Sequence, residues 1–322
     1  MAKLAAKELK ILQALEFDAE KSIEVIRKES GLSEHSIRYH QHRFISDGVI
    51  TRTPIIDLPS RGYNFIGIFF NPSLKEQNLR SIIQRSIIPL NEIVWLAEFV
   101  GEYRYGMAVA GRDLATIDQI ITGLSDKFPR LFRTKSIAHQ LNSTFFTRKY
   151  LGGSQRNVKQ LKIGTTSDSK DLDTVDKKIL GIVASDGSIS RRKLAQKLGI
   201  PLTTIDYRFE RLRKDGVLRG FTYSIDTNFL GRQNFMLLVF GNGMSSEFSK
   251  AVYNFAHTHP DVTSLYRCLG WWDFELDIEA ENHSKVLEIA DQLLSVGREW
   301  INSIKILSGV KTLKHTMVPF TF

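Results

Sequence analysis

The chain has 322 residues, 42% of them hydrophobic and 25% charged, which is enough for two to four domains with buried cores and excludes a disordered or low-complexity protein. A single cysteine, Cys268, excludes an intrachain disulfide framework, and no apolar run approaches the roughly 18 residues that a bilayer span needs. The first twenty residues carry acids and lack the unbroken apolar stretch of a signal peptide, so the expected location is cytoplasmic, and the net charge of +9 fits a polyanionic partner.

In chain order, three helices open the sequence, at Leu4–Leu15, Ser22–Ser30 and Ser33–Ser46. Ser33 is suited to cap the third, and Asp47-Gly48 to stop it. An extended segment, 49–58, follows as a connecting strand. The next hundred residues alternate between strand and helix periods: Tyr63–Phe70, Leu74–Ile87, Ile93–Val100, Tyr103–Ala110, Leu114–Phe128 and Ile137–Tyr150. That order is βαββαβ, the ferredoxin-like plan. Residues 151–171, rich in Gly, Ser, Thr and Lys, read as a linker.

The plan then repeats. Helices are expected at Asp173–Ala184, Ser190–Leu198 and about Pro201–Lys214, with Asp173 as an N-cap, and an extended segment at Val217–Ile225. In the third helix Leu202, Ile205, Phe209 and Leu212 line one face, and polar residues occupy the other. A second βαββαβ run follows: Asn234–Phe240, Ser245–His257, Val262–Leu269, Asp273–Ile278, Ser284–Val296, Ile301–Leu307, with a further strand at Leu313–Phe320. Phe274, Leu276 and Ile278 alternate with Glu275, Asp277 and Glu279, as in a sheet with one solvated face. Gly31-Leu32-Ser33 and Asp47-Gly48-Val49-Ile50 recur 168 positions later as Gly199-Ile200-Pro201 and Asp215-Gly216-Val217-Leu218. Gly101-Glu102-Tyr103-Arg104-Tyr105 recurs 169 positions later as Gly270-Trp271-Trp272-Asp273-Phe274. These recurrences imply a tandem duplication. The expected class is α+β: helix-turn-helix domains at 1–52 and 172–219, each followed by a ferredoxin-like domain, at 53–150 and 220–322.

Leu172-Asp173-Thr174-Val175-Asp176 through Ile179-Leu180, then Leu194-Ala195, Gly199, Ile205, Arg208, Leu212 and Gly216-Val217-Leu218, resemble the opening and helix-turn-helix signature of the Lrp/AsnC (leucine-responsive, feast/famine) transcription regulators. Gly270-Trp271-Trp272-Asp273-Phe274 resembles that family's Gly-x-x-Asp-aromatic turn. The resemblance implies a sequence-specific DNA-binding regulator, with no catalytic residue, metal or cofactor, whose sandwich domain dimerises and senses an amino acid or similar small effector. Two units in one chain make a fused pseudo-dimer with an asymmetric, imperfectly palindromic operator, and chains are expected to pair further into homo-oligomers. The first unit departs from the pattern at Arg27 for Ala195, Gln41 for Phe209, His40 for Arg208 and Arg104 for Asp273.

Residues 172–219 hold eleven basic and six acidic side chains, and residues 3–52 nine and eight, so charge favours the second unit as the stronger DNA binder. The expected DNA contacts are Arg191, Arg192, Thr203, Thr204, Tyr207 and Arg211, with His35, Ser36, Arg38, Tyr39 and Arg43 as counterparts in the first unit. The expected effector sites are Gly270, Trp271, Trp272 and Asp273, and Gly101, Tyr103 and Arg104; indoles supply apolar walls, Asp273 suits an amine and Arg104 an anion. The rival is an enzyme. Siroheme decarboxylases of tetrapyrrole biosynthesis share the two-part plan, but their Arg-Arg-x-Gly-Ala-like stretch is not found at Leu218–Thr222 or Ile50–Pro54. His35, His40 and His42 are not spaced as metal ligands on one helix, and no P-loop or nucleophile-elbow motif occurs.

Overall fold

A computed structural model describes residues 5–73, 76–152, 158–164, 171–243, 245–297 and 299–320. Helices α1 (Ala6–Leu15), α2 (Ile23–Ser30) and α3 (Glu34–Ser46) come first, followed by strand β1 (Ile50–Ile56). Then come β2 (Asn64–Asn71), α4 (Glu76–Ile82, prolonged by a π turn to Ile87), β3 (Ile93–Val100), β4 (Tyr105–Gly111), α5 (Leu114–Lys127), β5 (Thr134–Phe146) and β6 (Gln160–Ile163). The second half has α6 (Thr174–Ser185), α7 (Arg191–Leu198), α8 (Leu202–Lys214), β7 (Leu218–Ile225), β8 (Gln233–Gly241), α9 (Ser246–Thr258), β9 (Val262–Gly270), β10 (Phe274–Ala280), α10 (His283–Val296) and β11 (Ile301–His315).

Local chemistry explains the helix ends. The side chains of Ser22, Ser33, Asp173 and Ser190 each accept a backbone N–H in the first turn of their helix. α2 and α7 end at Gly31 and Gly199, both with positive φ, and the chain turns there into the third helix.

Three expectations need correction. The two connecting strands pair with each other: β1 and β7 form an antiparallel ribbon, from Ile50 opposite Ile225 to Ile56 opposite Leu218. Part of the predicted linker is built into the fold, since β6 pairs with the end of β5 from Phe146–Gln160 to Ser143–Ile163; residues 153–157 and 165–170 lie outside the described residues. The last predicted strands are one, because β11 runs unbroken from Ile301 to His315, bending through bulges instead of stopping.

The ferredoxin-like strands close on one another. Their order is β2-β4-β3-β11-β8-β10-β9-β5, and β5 pairs back onto β2, so eight antiparallel strands form a barrel. The long strands β5 and β11 make the two seams. β11 pairs with β8 along its first half and with β3 along its second; β5 pairs with β2 and then with β9. The helices cover the outside. Phe248, Val252, Ile289 and Leu293 pack on the second sheet, and Leu79, Ile83, Ile117 and Leu124 on the first. The inside is filled by Phe69, Phe99, Tyr103, Met236, Leu238, Cys268, Trp272 and Leu307.

The barrel overturns the solvated-face reading of β10. Its apolar side faces α9 and α10, but the alternating acids point into the barrel, where Glu275 and Glu279 are 3% and 5% exposed. Glu279 is answered there by Arg148, at 2.8 and 2.9 Å, and by the Tyr150 hydroxyl. Arg148 also donates its backbone N–H to Glu16 at the end of α1, at 2.6 Å.

Each helix-turn-helix core is completed by the opposite half. Ile11, Leu12, Leu15, Ile26, Ile37 and Phe44 close over Tyr223 and Ile225 of β7, joined by Phe229 and Leu230. Ile179, Leu180, Leu194, Ile205, Phe209 and Leu212 close over Ile56, Leu58 and Tyr63 from the first half, joined by Val318 and Phe320. The Gln41 amide meets this arrangement too, donating to the Tyr223 hydroxyl at 3.2 Å. Arg27, expected at a helix crossing, lies on the exposed side of α2.

The seams are tight at two glycines. At Gly270 (φ 145°) an added Cβ would lie 2.7 Å from the Ile137 carbonyl oxygen, and at Gly101 (φ 143°) 2.8 Å from that of Ile306. Both close backbone approach and a φ that L-residues rarely adopt require glycine there. Gly270→Ala is therefore expected to lower stability by about 1–3 kcal/mol in urea denaturation. Gly123→Ala in α5, with nothing within 4 Å of the added Cβ, should raise it by up to about 1 kcal/mol.

Candidate nucleic-acid interface

The third helices α3 and α8 present equivalent outer faces. Tyr39 and Tyr207 occupy the same place on them and are 57% and 66% exposed, which is unusual for aromatic side chains without a partner surface. Thr203 is exposed beside Tyr207, as is His35 beside Tyr39, while Thr204 and Ser36 are partly buried in the first turns. Arg192 and Lys193 at the start of α7 are exposed, and no ion pair holds them among the described residues.

Other arginines expected at DNA are already engaged. Arg211 pairs with Asp176, which is 2% exposed, and Arg208 binds Asp173 at 2.6 Å and Asp176 at 2.9 Å. These contacts tie α8 to the start of α6. Arg43 makes the equivalent pair with Glu8 of α1, and the Ala5 N–H donates to the same carboxylate at 2.8 Å. Arg191 is held across α8 by Asp206 at 2.9 Å and Glu210 at 3.4 Å, over the Phe209 ring. Arg38 pairs with Glu34 one turn back, at 2.7 Å. Arg211 and Arg43 are thus positioning groups first, with part of each guanidinium still accessible. A signal for this existed in the sequence: Glu8 and Arg43 recur 168 positions later as Asp176 and Arg211.

Charge also crosses between the halves. Glu20 of the first half receives Arg213 of α8 at 2.6 Å and Arg52 of β1 at 3.2 Å, and Arg52 lies 3.8 Å over the Phe221 ring.

The expected effector turns have a different use. Trp272 is fully buried inside the barrel and Tyr103, its counterpart, is 4% exposed and bonded to Ser136 Oγ at 2.6 Å. One oxygen of the Asp273 carboxylate accepts the Gly241 N–H at 2.6 Å, which ties it to the end of β8. Arg104 turns to Glu98 of its own sheet, 3.3 Å away, and not outward to an anion. Gly270 and Gly101 serve the seams. Among the side chains of these turns, Trp271 is 62% exposed and offers an open apolar surface. Without the barrel in view, an aromatic beside a turn glycine reads as the wall of a pocket; here it is a wedge in the interior.

Residues 172–219 match the family model described as winged helix-turn-helix DNA-binding. The transcriptional regulator FL11 of Pyrococcus horikoshii is 29% identical over 146 residues, which cover 93% of that protein and 45% of this chain. An uncharacterized HTH-type transcriptional regulator of Pyrococcus furiosus is 32% identical over 127 residues, covering 83% of that protein and 38% of this chain. Across 98% of this chain and 94% of the other, the fold matches the crystal structure of the siroheme decarboxylase NirDL, with a TM-score of 0.63 and 14% identity, a likeness of fold alone. The chain belongs to the HTH-type transcriptional regulators, which act by binding DNA. These two regulators each correspond to less than half of its length.

The clamp has a measurable pH dependence. Burial pushes the Asp173 carboxyl up, but the Arg208 hydrogen bond, the Asp176 N–H and the nearby positive charge outweigh it and hold the group at about 2. The unfolded value is about 3.9, so this support for the α6–α8 contact is complete above about pH 4 and fades as the pH falls toward 2. In Asp173→Asn, amide resonances of α6 and α8 should lose the titration over that window. An unchanged titration would place the acid step elsewhere.

Proposed function

We propose that one chain binds DNA as a covalent pseudo-dimer, with α3 and α8 in successive major-groove segments about one helical turn apart. The observation that carries this reading is the pair of exposed tyrosines at the same place on both third helices, above a ribbon that joins the two helix-turn-helix units. The faces are not alike: Thr203, Thr204 and Tyr207 stand where His35, Ser36 and Tyr39 stand in the first. The operator is therefore an imperfect inverted repeat. Arg192 contacts phosphate, and Arg211 and Arg43 hold their helices at the groove while lending charge to the backbone.

Charge makes the second unit the stronger partner, and the first adds selectivity more than affinity. Chains pair further through the apolar residues Val100, Leu269, Trp271 and Val310, all more than half exposed at or beside the seam turns. A small effector, if an amino acid as in the resemblance, would be completed by a second chain over Trp271. The protein acts without chemistry of its own.

Footprinting on the protein's upstream region at two salt concentrations tests the reading. Tyr207→Ala should weaken binding about 10- to 100-fold at the second half-site, the range of a lost base contact. Arg192→Ala should weaken it on all sequences and flatten the salt dependence by about one ion. Tyr39→Ala should shorten the protected region from one side. Protection unaltered in all three variants would remove these helices from the interface.

A further inference from the structure

The two helix-turn-helix heads are fixed to the barrel by different chemistry. In the first, α1 ends at Glu16, which is 1% exposed. Its carboxylate accepts the backbone N–H of Arg148 at 2.6 Å and the guanidinium of the same residue at 3.4 Å. Its backbone carbonyl accepts the Thr222 hydroxyl and, at 3.3 Å, the Tyr223 N–H, both from β7. Arg148 then reaches into the barrel, where two of its nitrogens bind the two oxygens of Glu279 on β10, at 2.8 and 2.9 Å. One arginine therefore bridges the first helix of the first head to a barrel strand of the second half.

The neighbours of Arg148 hold it in place. Lys149, also buried, donates to the carbonyls of Ala256 and Val262, at 3.0 and 2.7 Å, where α9 gives way to β9. Tyr150 donates its hydroxyl to Glu279 and carries Arg232 over its ring at 3.7 Å. Arg232 in turn binds Asp261 at 2.6 Å. Three buried acids, Glu16, Asp261 and Glu279, thus meet three cations, Arg148, Lys149 and Arg232.

The second head has none of these groups at the equivalent places. Ala184 stands for Glu16, 168 positions on, and Met317, Val318, Ala110 and Tyr63 stand for Arg148, Lys149, Glu279 and Arg232 at the 169-residue offset. Ala184, Met317, Val318 and Tyr63 belong to the apolar cluster beneath α6–α8. Apolar contact is non-directional, whereas an arginine–carboxylate fork sets both distance and angle. A buried ion network adds little stability over apolar packing of the same volume, so what distinguishes the first joint is the geometry that it fixes.

We propose that Arg148 is a positioning residue for DNA binding. By locking Glu16 of α1 to Glu279 of β10, it fixes the angle of the first helix-turn-helix unit on the barrel, and with it the distance from α3 to α8. The consequence for DNA rests on the pseudo-dimer reading; the distance is a property of the free chain.

Removing Arg148 alone would strand two buried acids. The test therefore installs the second half's own residues, Glu16→Ala, Arg148→Met and Glu279→Ala together, and separately Glu16→Ala, which leaves the Arg148–Glu279 pair intact. Spin labels at His35→Cys in α3 and Thr203→Cys in α8, both exposed, report the distance without DNA, with Cys268 buried and unlabelled. The parent should give one narrow distance. Both variants should unfold cooperatively, as the parent does, and give a broadened distance. On a duplex of the protected upstream region, the parent should bind about tenfold more tightly than on the same duplex lengthened by a base pair between the half-sites, and the variants should lose that preference. Affinity for a duplex carrying only the second half-site should not change. The parent's distance distribution in either folded variant, or its spacing preference, would overturn the proposal. A parent that protects a single half-site, with distances that broaden as stated in the variants, fails the pseudo-dimer reading and leaves the positioning of the first unit standing.

Discussion

The arrangement depends on one antiparallel pairing, that of β1 with β7. Each of these strands leaves its own helix-turn-helix and runs under the other. A three-helix unit of about fifty residues has a small interior and is marginally stable unaided. Here each obtains the missing floor from the opposite half: Tyr223 and Ile225 for the first, Ile56 and Leu58 for the second. The ion pairs from Glu20 to Arg213 and Arg52 reinforce the crossing but, being partly exposed, contribute little beside the apolar burial. Two helix-turn-helix units on separate chains could be held in register only by association. In this chain the register is fixed by covalent continuity and by strand pairing together.

The barrel carries the same logic below the heads. β5 and β11 each begin in one sheet and end in the other, so the eight ferredoxin-like strands close on one another and only the short β6 is left with an unpaired side. The seams need glycine at two equivalent turns, and the aromatic side chains that follow fill the interior. The two interiors differ: the first sheet presents Gly106, Ala108 and Phe69, the second Glu275, Asp277 and Tyr266. A homodimer of a single-unit protein could not be asymmetric in this way, since each substitution would appear on both walls. One half supplies the acidic strand, and the other supplies small residues covered by the Phe69 and Trp95 rings.

Much of this was legible in the sequence. The helix ends could be read from Ser33, Asp173, Gly31 and Gly199, because capping is local chemistry between neighbours. The alternation of Phe274, Leu276 and Ile278 gave β10 and its helix-facing side. What alternation cannot give is the far side's environment: acids at Glu275 and Glu279 suggest water, and only closure of the barrel by the other sheet shows otherwise. The β1–β7 pairing was equally hidden, since partners 175 positions apart, such as Ile50 and Ile225, leave no local mark. At the interface, residue type suggested that Arg43 and Arg211 reach for DNA. Their carboxylate partners lie on the first helix of each unit, and only the fold brings them together.

Native-state hydrogen exchange on two core variants tests the crossing most directly. Leu58 and Ile225 are 0% and 5% exposed, and truncation of such residues to alanine costs about 2–5 kcal/mol. Leu58→Ala, made in the first half, should speed exchange in α6–α8 and leave α1–α3 unchanged. Ile225→Ala, made in the second, should do the reverse. If each substitution loosens the helices of its own half instead, the two helix-turn-helix units do not stand on each other's strands, and the account fails.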